Sequence, residues 1–182
     1  MTEPARQIRL LGISGSVGSG ARTTALVAAL LKAAEGTGSV ATETVDLHAL
    51  QLPFCDGRAP ERYPEPASGL FEKLAAAAGF VFGTPVYRAS ISGVLKNFFD
   101  LVPAAAMAGK PACLVVTGGS RDHFLVADYA LRPICAALGI QTSAQAIYAD
   151  HAAMPDAAAA GEVEGLADAA GVLVDLARHS CG

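Results

Sequence analysis

The run Ile8–Ile13 stops abruptly at Ser14-Gly15-Ser16, and a leucine-striped segment from Ala21 to Glu35 follows it. A strand with so little polar alternation has no face to offer water. It belongs inside a parallel sheet that is covered by helices on both sides. The same alternation of strand and helix recurs along the chain. Val40–Leu47, Phe80–Thr84, Pro111–Thr117 and Gln141–Tyr148 read as the second to fifth strands. Helical spacing marks Gly69–Ala78, Gly93–Val102, about His123–Leu138 and Glu162–Arg178, with Gly36 and Gly139 as helix stops. His48–Ser68 carries Pro53, Pro60, Pro64 and Pro66 and reads as a long irregular loop. Five β-α steps without repeat or linker predict a single domain over residues 1–182, an α/β doubly wound sheet. Ligands of such sheets sit at the carboxyl ends of the strands, which directs attention to the loops after strands one, three and four.

Composition narrows the class. With 52 % apolar and 16 % charged residues, the chain can bury a large core and is not disordered. A net charge of -4 with no cluster of Lys and Arg argues against a nucleic-acid partner. Gly, Pro or Lys interrupts every apolar run before the ~18 residues of a membrane span, and the first run is too short for a signal peptide. A cytoplasmic protein that engages no membrane is therefore expected. Cys55, Cys113, Cys135 and Cys181 show neither C-x-x-C nor zinc spacing, so reduced, mostly buried thiols and no metal are expected.

The first loop, Ser14 to Thr24, combines bare backbone, hydroxyls and one guanidinium, Arg22, at a helix N-terminus. Each of these features attracts a phosphate. The loop is not a Walker loop, because no Gly-Lys-Ser/Thr ends it, and Thr23 stands where a G-x-G-x-x-G needs its third glycine. Asp46 could still imitate the ribose-binding acid of a dinucleotide fold. The second loop, Thr84-Pro85-Val86-Tyr87-Arg88 to Ser92-Gly93, offers a ring and a planar cation, and its glycine lets backbone approach a flat ligand. The third, Thr117-Gly118-Gly119-Ser120, again presents bare backbone. No Ser/His/Asp order supports a hydrolase. The polar groups suit a phosphorylated flat heterocycle, with a cofactor supplying the chemistry. Pro133 cannot donate to the Tyr129 carbonyl, so the helix there must kink or widen into a π-type turn.

Taken together, GISGSVGSGARTT, GTPVYRASISGVLKNFFDLVP and TGGSRDHFLVADYALRP resemble the NADPH-dependent FMN reductases of the flavodoxin-like superfamily. The likeness is greatest to the reductase component of two-component alkanesulfonate monooxygenase systems, and it runs from strand one to about Tyr148. The resemblance implies a five-stranded flavodoxin-like sheet of order 2-1-3-4-5. It implies FMN with NADPH or NADH as cofactors and direct hydride transfer to flavin N5, with no catalytic acid or base. Ser14, Ser16, Arg22, Thr23 and Thr24 would hold the FMN phosphate. Thr84, Pro85, Val86, Tyr87 and Arg88 would line the isoalloxazine and ribityl side, with Ser92 close to the flavin. Thr117, Gly118, Gly119 and Ser120 would contact the pyrimidine end.

Many relatives carry an arginine where this chain has Gly18, which leaves Arg22 and the helix N-terminus to neutralise the phosphate. His123 would border the nicotinamide, and Tyr129 would sit on a π turn at a subunit interface and gate the flavin. His48, His151 and His179 read as surface or loop residues. A homo-oligomer, dimer or tetramer, is expected, because Gly93–Val102 and the Tyr129 region hold more bulky apolar residues than one buried face needs. Three readings remain: a reductase that releases reduced FMN to a monooxygenase, a reductase that retains FMN and acts on quinone, azo, nitro or metal-oxyanion substrates, and a flavodoxin-like electron carrier. The modest negative charge argues against the carrier.

Overall fold

The computed structural model describes residues 7–18 and 21–180. Strand β1 (Ile8–Ser14) leads to helix α1 (Arg22–Glu35), then β2 (Val40–Asp46) and the single turn α2 (Leu47–Leu50). Helix α3 (Ala67–Ala76), β3 (Gly79–Pro85), α4 (Gly93–Leu101) and β4 (Pro111–Thr117) follow. The parallel strand order is β2-β1-β3-β4, with two short segments, β5 (Gln141–Thr142) and β6 (Ile147–Ala149), both paired to β4. Helices α5 (Arg132–Ala137) and α6 (Leu166–Ser180) complete the chain. This is the expected 2-1-3-4-5 doubly wound order.

The unbroken apolar strands divide cleanly by period two. Leu10, Val81, Cys113 and Val115 face α1 and α6, whereas Leu11, Phe80, Phe82, Leu114 and Val116 face the α3, α4 and α5 side. Phe82 packs edge-on against Phe99 at 5.1 Å, and Phe98 and Phe99 lie 5.2 Å apart. Leu95, Phe98, Phe99 and Leu101 are thus all consumed by the chain's own core. The bulky apolar residues of α4 that were expected to serve a second subunit are buried within the chain, and the positions the helix exposes are Gly93, Lys96 and Asp100.

The fifth strand departs from expectation by breaking in two. Ser143 lies between the segments; its N–H donates to Ala112 O, while the Arg132 guanidinium takes the carbonyls of Ser143 and Ala144. Once an arginine occupies those carbonyls, they point out of the ladder and pairing lapses until Ile147. The helix expected at 123–138 is also composite. A 3-10 segment (Arg121–Leu125) runs into a π turn (Ala127–Leu131) and then α5. The Arg132 N–H bonds the Ala127 carbonyl five residues back, one position before Pro133 removes its own donor. The widening expected from Pro133 is present.

Cys113 and Cys135 are buried free thiols; burial pushes Cys113 up to about 11 and Cys135 up to about 12. Cys55 is free and half-buried, and Cys181 lies outside the described residues. Among the described residues, no helix is long and apolar enough to cross a membrane, and no His/Cys/Asp/Glu group could hold a metal ion.

Helix α1 sits unusually close to the sheet. A Cβ on Gly83 would fall 2.3 Å from Val27 Cγ2, and one on Gly12 would fall 2.5 Å from Val27 Cγ1. Val27 is β-branched and stiff, so it cannot swing away. Gly83→Ala should therefore destabilise the fold by about 1–3 kcal/mol. In urea unfolding, adding Val27→Ala to Gly83→Ala should cost less than the sum of the two single changes.

Candidate functional site

Three loops converge at the carboxyl ends of β1, β3 and β4, fastened by short side chains. Gly15 N–H donates to Gly83 O at 2.8 Å, and Val86 N–H donates to Thr117 O at 2.9 Å. Thr23, in the first turn of α1, shares a 2.6 Å hydroxyl bond with Thr117 at the end of β4. Ser14 Oγ and Thr24 Oγ1 lie 2.8 Å apart. Ser92 is wholly buried. Its hydroxyl donates to Gly15 O at 2.6 Å and accepts from Leu95 N–H, capping α4. Its own N–H donates to Thr84 Oγ1, whose hydrogen goes to Pro85 O. Thr23, Thr84 and Ser92, expected to touch ligand, have hydroxyls engaged within the protein; they hold the loops together.

The exposed groups are those between these ties. Val17 and Gly18 project from the first loop, and Tyr87 and Arg88 from the second. Tyr87 and Ser90 exchange two backbone hydrogen bonds of 3.0 Å around a tight turn, with Arg88 at φ 51 and Ala89 at φ 59. Two successive left-handed residues make the mirror-image hairpin turn that glycine or asparagine usually fills. Here the strain is held against the apolar Ile91 and the Ser92 anchor, and it aims the Tyr87 ring outward. A Cβ would meet nothing within 4 Å at Gly18, Gly93 or Gly119, so all three loops leave open space above their backbones.

On the third loop, Gly118 N–H donates to Ala149 O at 3.0 Å, and a Cβ at Gly118 would fall 2.2 Å from Tyr148 Oη. Tyr148 donates its hydroxyl to Ser120 O; burial, and next the Asp150 charge, push its phenol up and keep that proton in place. His123 is half-buried beside Gly118, and its Nδ1 is buried with no partner. Arg22 reaches across to the turn after β6, where its Nη1 donates to Met154 O at 3.1 Å and lies 3.0 Å from His151 Nδ1. His151, expected to be a bystander, is therefore part of the site's edge. The sequence held no signal for this contact, because 129 positions separate the two residues. Tyr129 stands on the π turn with 79 % of its surface exposed, flanked by exposed Phe124 and Leu125. Beside the third loop, a cleft of ≈ 540 Å³ opens between Arg121, Phe124, Tyr148 and Glu164.

Buried hydroxyls, a helix N-terminus at Ala21 without a side-chain cap and the exposed Tyr87 ring thus lie together at the carboxyl ends of the parallel strands, where sheets of this kind take ligands. Comparison with known proteins identifies the family. Residues 8–154 match the family described as NADPH-dependent FMN reductase, and the chain belongs to that family. It is 36 % identical over 147 residues to an NAD(P)H-dependent FAD/FMN reductase of Geobacillus thermodenitrificans, covering 79 % of each chain. It is 46 % identical over 90 residues to an FMN reductase (NADPH) of Pseudomonas putida, 49 % of this chain and 46 % of that one. An oxidoreductase structure from Corynebacterium diphtheriae superposes with TM-score 0.78 at 27 % identity, covering 94 % of this chain and 97 % of its own. The protein is a flavin reductase enzyme that uses FMN and a nicotinamide.

The residues present fit FMN. The glycine openings at 18, 93 and 119 leave room for it, and Arg22, which pairs with no carboxylate among the described residues, would supply a cation to its phosphate. The Ser92 tie carries a direct expectation. Ser92→Ala strands the Gly15 carbonyl and uncaps α4, so stability should fall by about 1–3 kcal/mol. Hydrogen exchange should quicken at the amides of residues 15–18 and 93–95 more than elsewhere; uniform quickening would show that Ser92 only fills the core.

Proposed function

We propose that the enzyme is the flavin-supplying half of a two-component system, reducing FMN with NAD(P)H and releasing it to a flavin-dependent monooxygenase. FMN supplies the chemistry, accepting hydride at N5 from nicotinamide C4. The chain's part is to hold and orient. The Ser14, Ser16 and Thr24 hydroxyls at the first loop and the α1 N–H groups take the phosphate with Arg22, while Thr23 ties the loop to β4. Pro85 to Arg88 flank the ring, and the Gly118-Gly119 backbone meets its pyrimidine edge. His123 borders the nicotinamide, and Tyr129 gates flavin exchange. The exposed Phe124, Leu125 and Tyr129 form the apolar patch through which copies of the chain associate as a dimer or tetramer.

The observation that carries release over retention is the spare phosphate grip. Arg22 is the only cation of the first loop, Gly18 offers no side chain, and Arg22 is itself drawn to the edge by Met154 O. A single charge-assisted contact of ~1.5–3 kcal/mol anchors a dianion loosely. The purified protein should be colourless and should oxidise NADPH only when FMN is added; a yellow protein whose colour survives gel filtration would overturn release.

Arg22→Ala should weaken FMN about ten- to a hundred-fold and leave riboflavin, which has no phosphate, nearly unchanged. Fluorescence titration of both flavins reads this directly, and equal losses would remove Arg22 from the phosphate site.

A further inference from the structure

The contact between Arg22 and His151 has an unusual geometry. Arg22 Nη1 lies 3.0 Å from His151 Nδ1, while Nη2 lies 3.3 Å from Nε2 of the same ring. The two nitrogens of an imidazole point away from each other in the ring plane, so one guanidinium cannot hydrogen-bond both edges together. Both approaches are met when the Nη1–Nη2 edge of the guanidinium is set against the face of the ring, with its N–H groups directed at it. The Nη1 group also donates to Met154 O, which leaves the Nε–Nη2 edge without an acceptor among the described residues.

The turn that presents His151 is itself fixed. The Asp150 carboxylate accepts the N–H groups of Ala152 and Ala153, each at 2.9 Å, and Met154 N–H donates to Asp150 O at 3.0 Å. Those bonds, that of Ala153 foremost, hold the Asp150 carboxyl below the usual carboxylate range, and they turn its charge into the turn instead of onto Arg22. Met154 is fully buried and anchors the far end. Arg58, Arg132 and Arg178 each pair with an aspartate, whereas Arg22 is gripped by a ring and a carbonyl and keeps its charge for something else.

We infer that His151 is a positioning residue of the phosphate end: by holding the Nη1–Nη2 edge of Arg22 it leaves the Nε–Nη2 edge to a phosphate monoester, so it sets the preference for FMN over riboflavin. This rests on the flavin reading above. His151 holds one edge of the guanidinium, Met154 O holds Nη1 from the side, and the remaining Nε–Nη2 edge is presented as a two-pronged donor. A residue beyond the three flavin loops thereby decides how well the phosphate is recognised.

The test measures dissociation constants for FMN and for riboflavin in the wild-type protein, His151→Ala, His151→Phe and Arg22→Ala. His151→Ala should weaken FMN about two- to five-fold and leave riboflavin unchanged. His151→Phe keeps a flat face and should restore most of the FMN preference, a rescue that general damage to the turn would not produce. If Arg22→Ala lowers the FMN preference but His151→Ala does not, or if Phe does no better than Ala, the inference about His151 falls while the flavin site stands. If the wild-type protein itself does not distinguish FMN from riboflavin, both fall.

Discussion

Helix α1 reaches the sheet only because Gly12 and Gly83 present no side chain beneath Val27. That close seating is what the site depends on. It lowers the first turn of α1 until Thr23 meets Thr117 across β3 and Thr24 meets Ser14. It also brings the helix N-terminus level with the ends of three strands. Moving the helix outward by the width of a methyl group would part both hydroxyl pairs and lift Arg22 away from Met154 O. The dipole of α1 and the cation beside it are therefore placed by packing between two glycines and one valine, far below the loops that use them.

Burial of polar groups follows the same geography. All the buried polar side chains among the described residues except Ser143 belong to the three loops: Ser14, Ser16, Thr23, Thr84, Ser92 and Thr117. A buried hydroxyl without a partner is costly, so such groups survive in a core only as a connected network. Here the network runs from Thr24 through Ser14 to Ser16, from Ser92 to Gly15, Thr84 and Leu95, and from Thr23 to Thr117. Its members serve as ties, and the ties leave the glycines between them bare. Rigid loops with open backbone suit a flat ligand, since the protein need not reorganise to bind it.

The central strands and the three loops were legible because β1, β3 and β4 are almost wholly buried and end in residues that strands avoid. Pro111–Thr117 is bounded in the sequence as it is in the structure, by a glycine and lysine before it and two glycines after it. The broken fifth strand was not legible, because the agent that breaks it, Arg132, sits on another element. The roles of Thr23 and Ser92 were half legible. Their place near the site could be read, but whether a hydroxyl faces a ligand or a neighbouring loop depends on the approach of α1, a long-range property. His151 shows the limit most plainly. A lone histidine in a loop carries no periodicity and no motif, and only the fold brings it onto Arg22.

The π turn shows how one local rule is made into a stable feature. Pro133 withdraws the N–H that would close a normal turn on Tyr129, so the helix must either break or widen. A widened turn alone leaves its backbone poorly tied. Arg132, the residue before the proline, supplies the missing ties: its N–H reaches Ala127 O, and its Nε pairs with Asp128 at 2.9 Å. Its Nη1 bonds both Thr142 Oγ1 and Ser143 O at 2.7 Å. The break in the fifth strand and the bulge in the helix are thus one construction, in which the carbonyls lost from the ladder become the acceptors that steady the bulge. Its consequence is that Tyr129 is held out in solvent by a backbone that is clamped on both sides. An exposed aromatic on a clamped turn costs little to dock, because the ordering that a partner surface would otherwise impose is already present in the free chain.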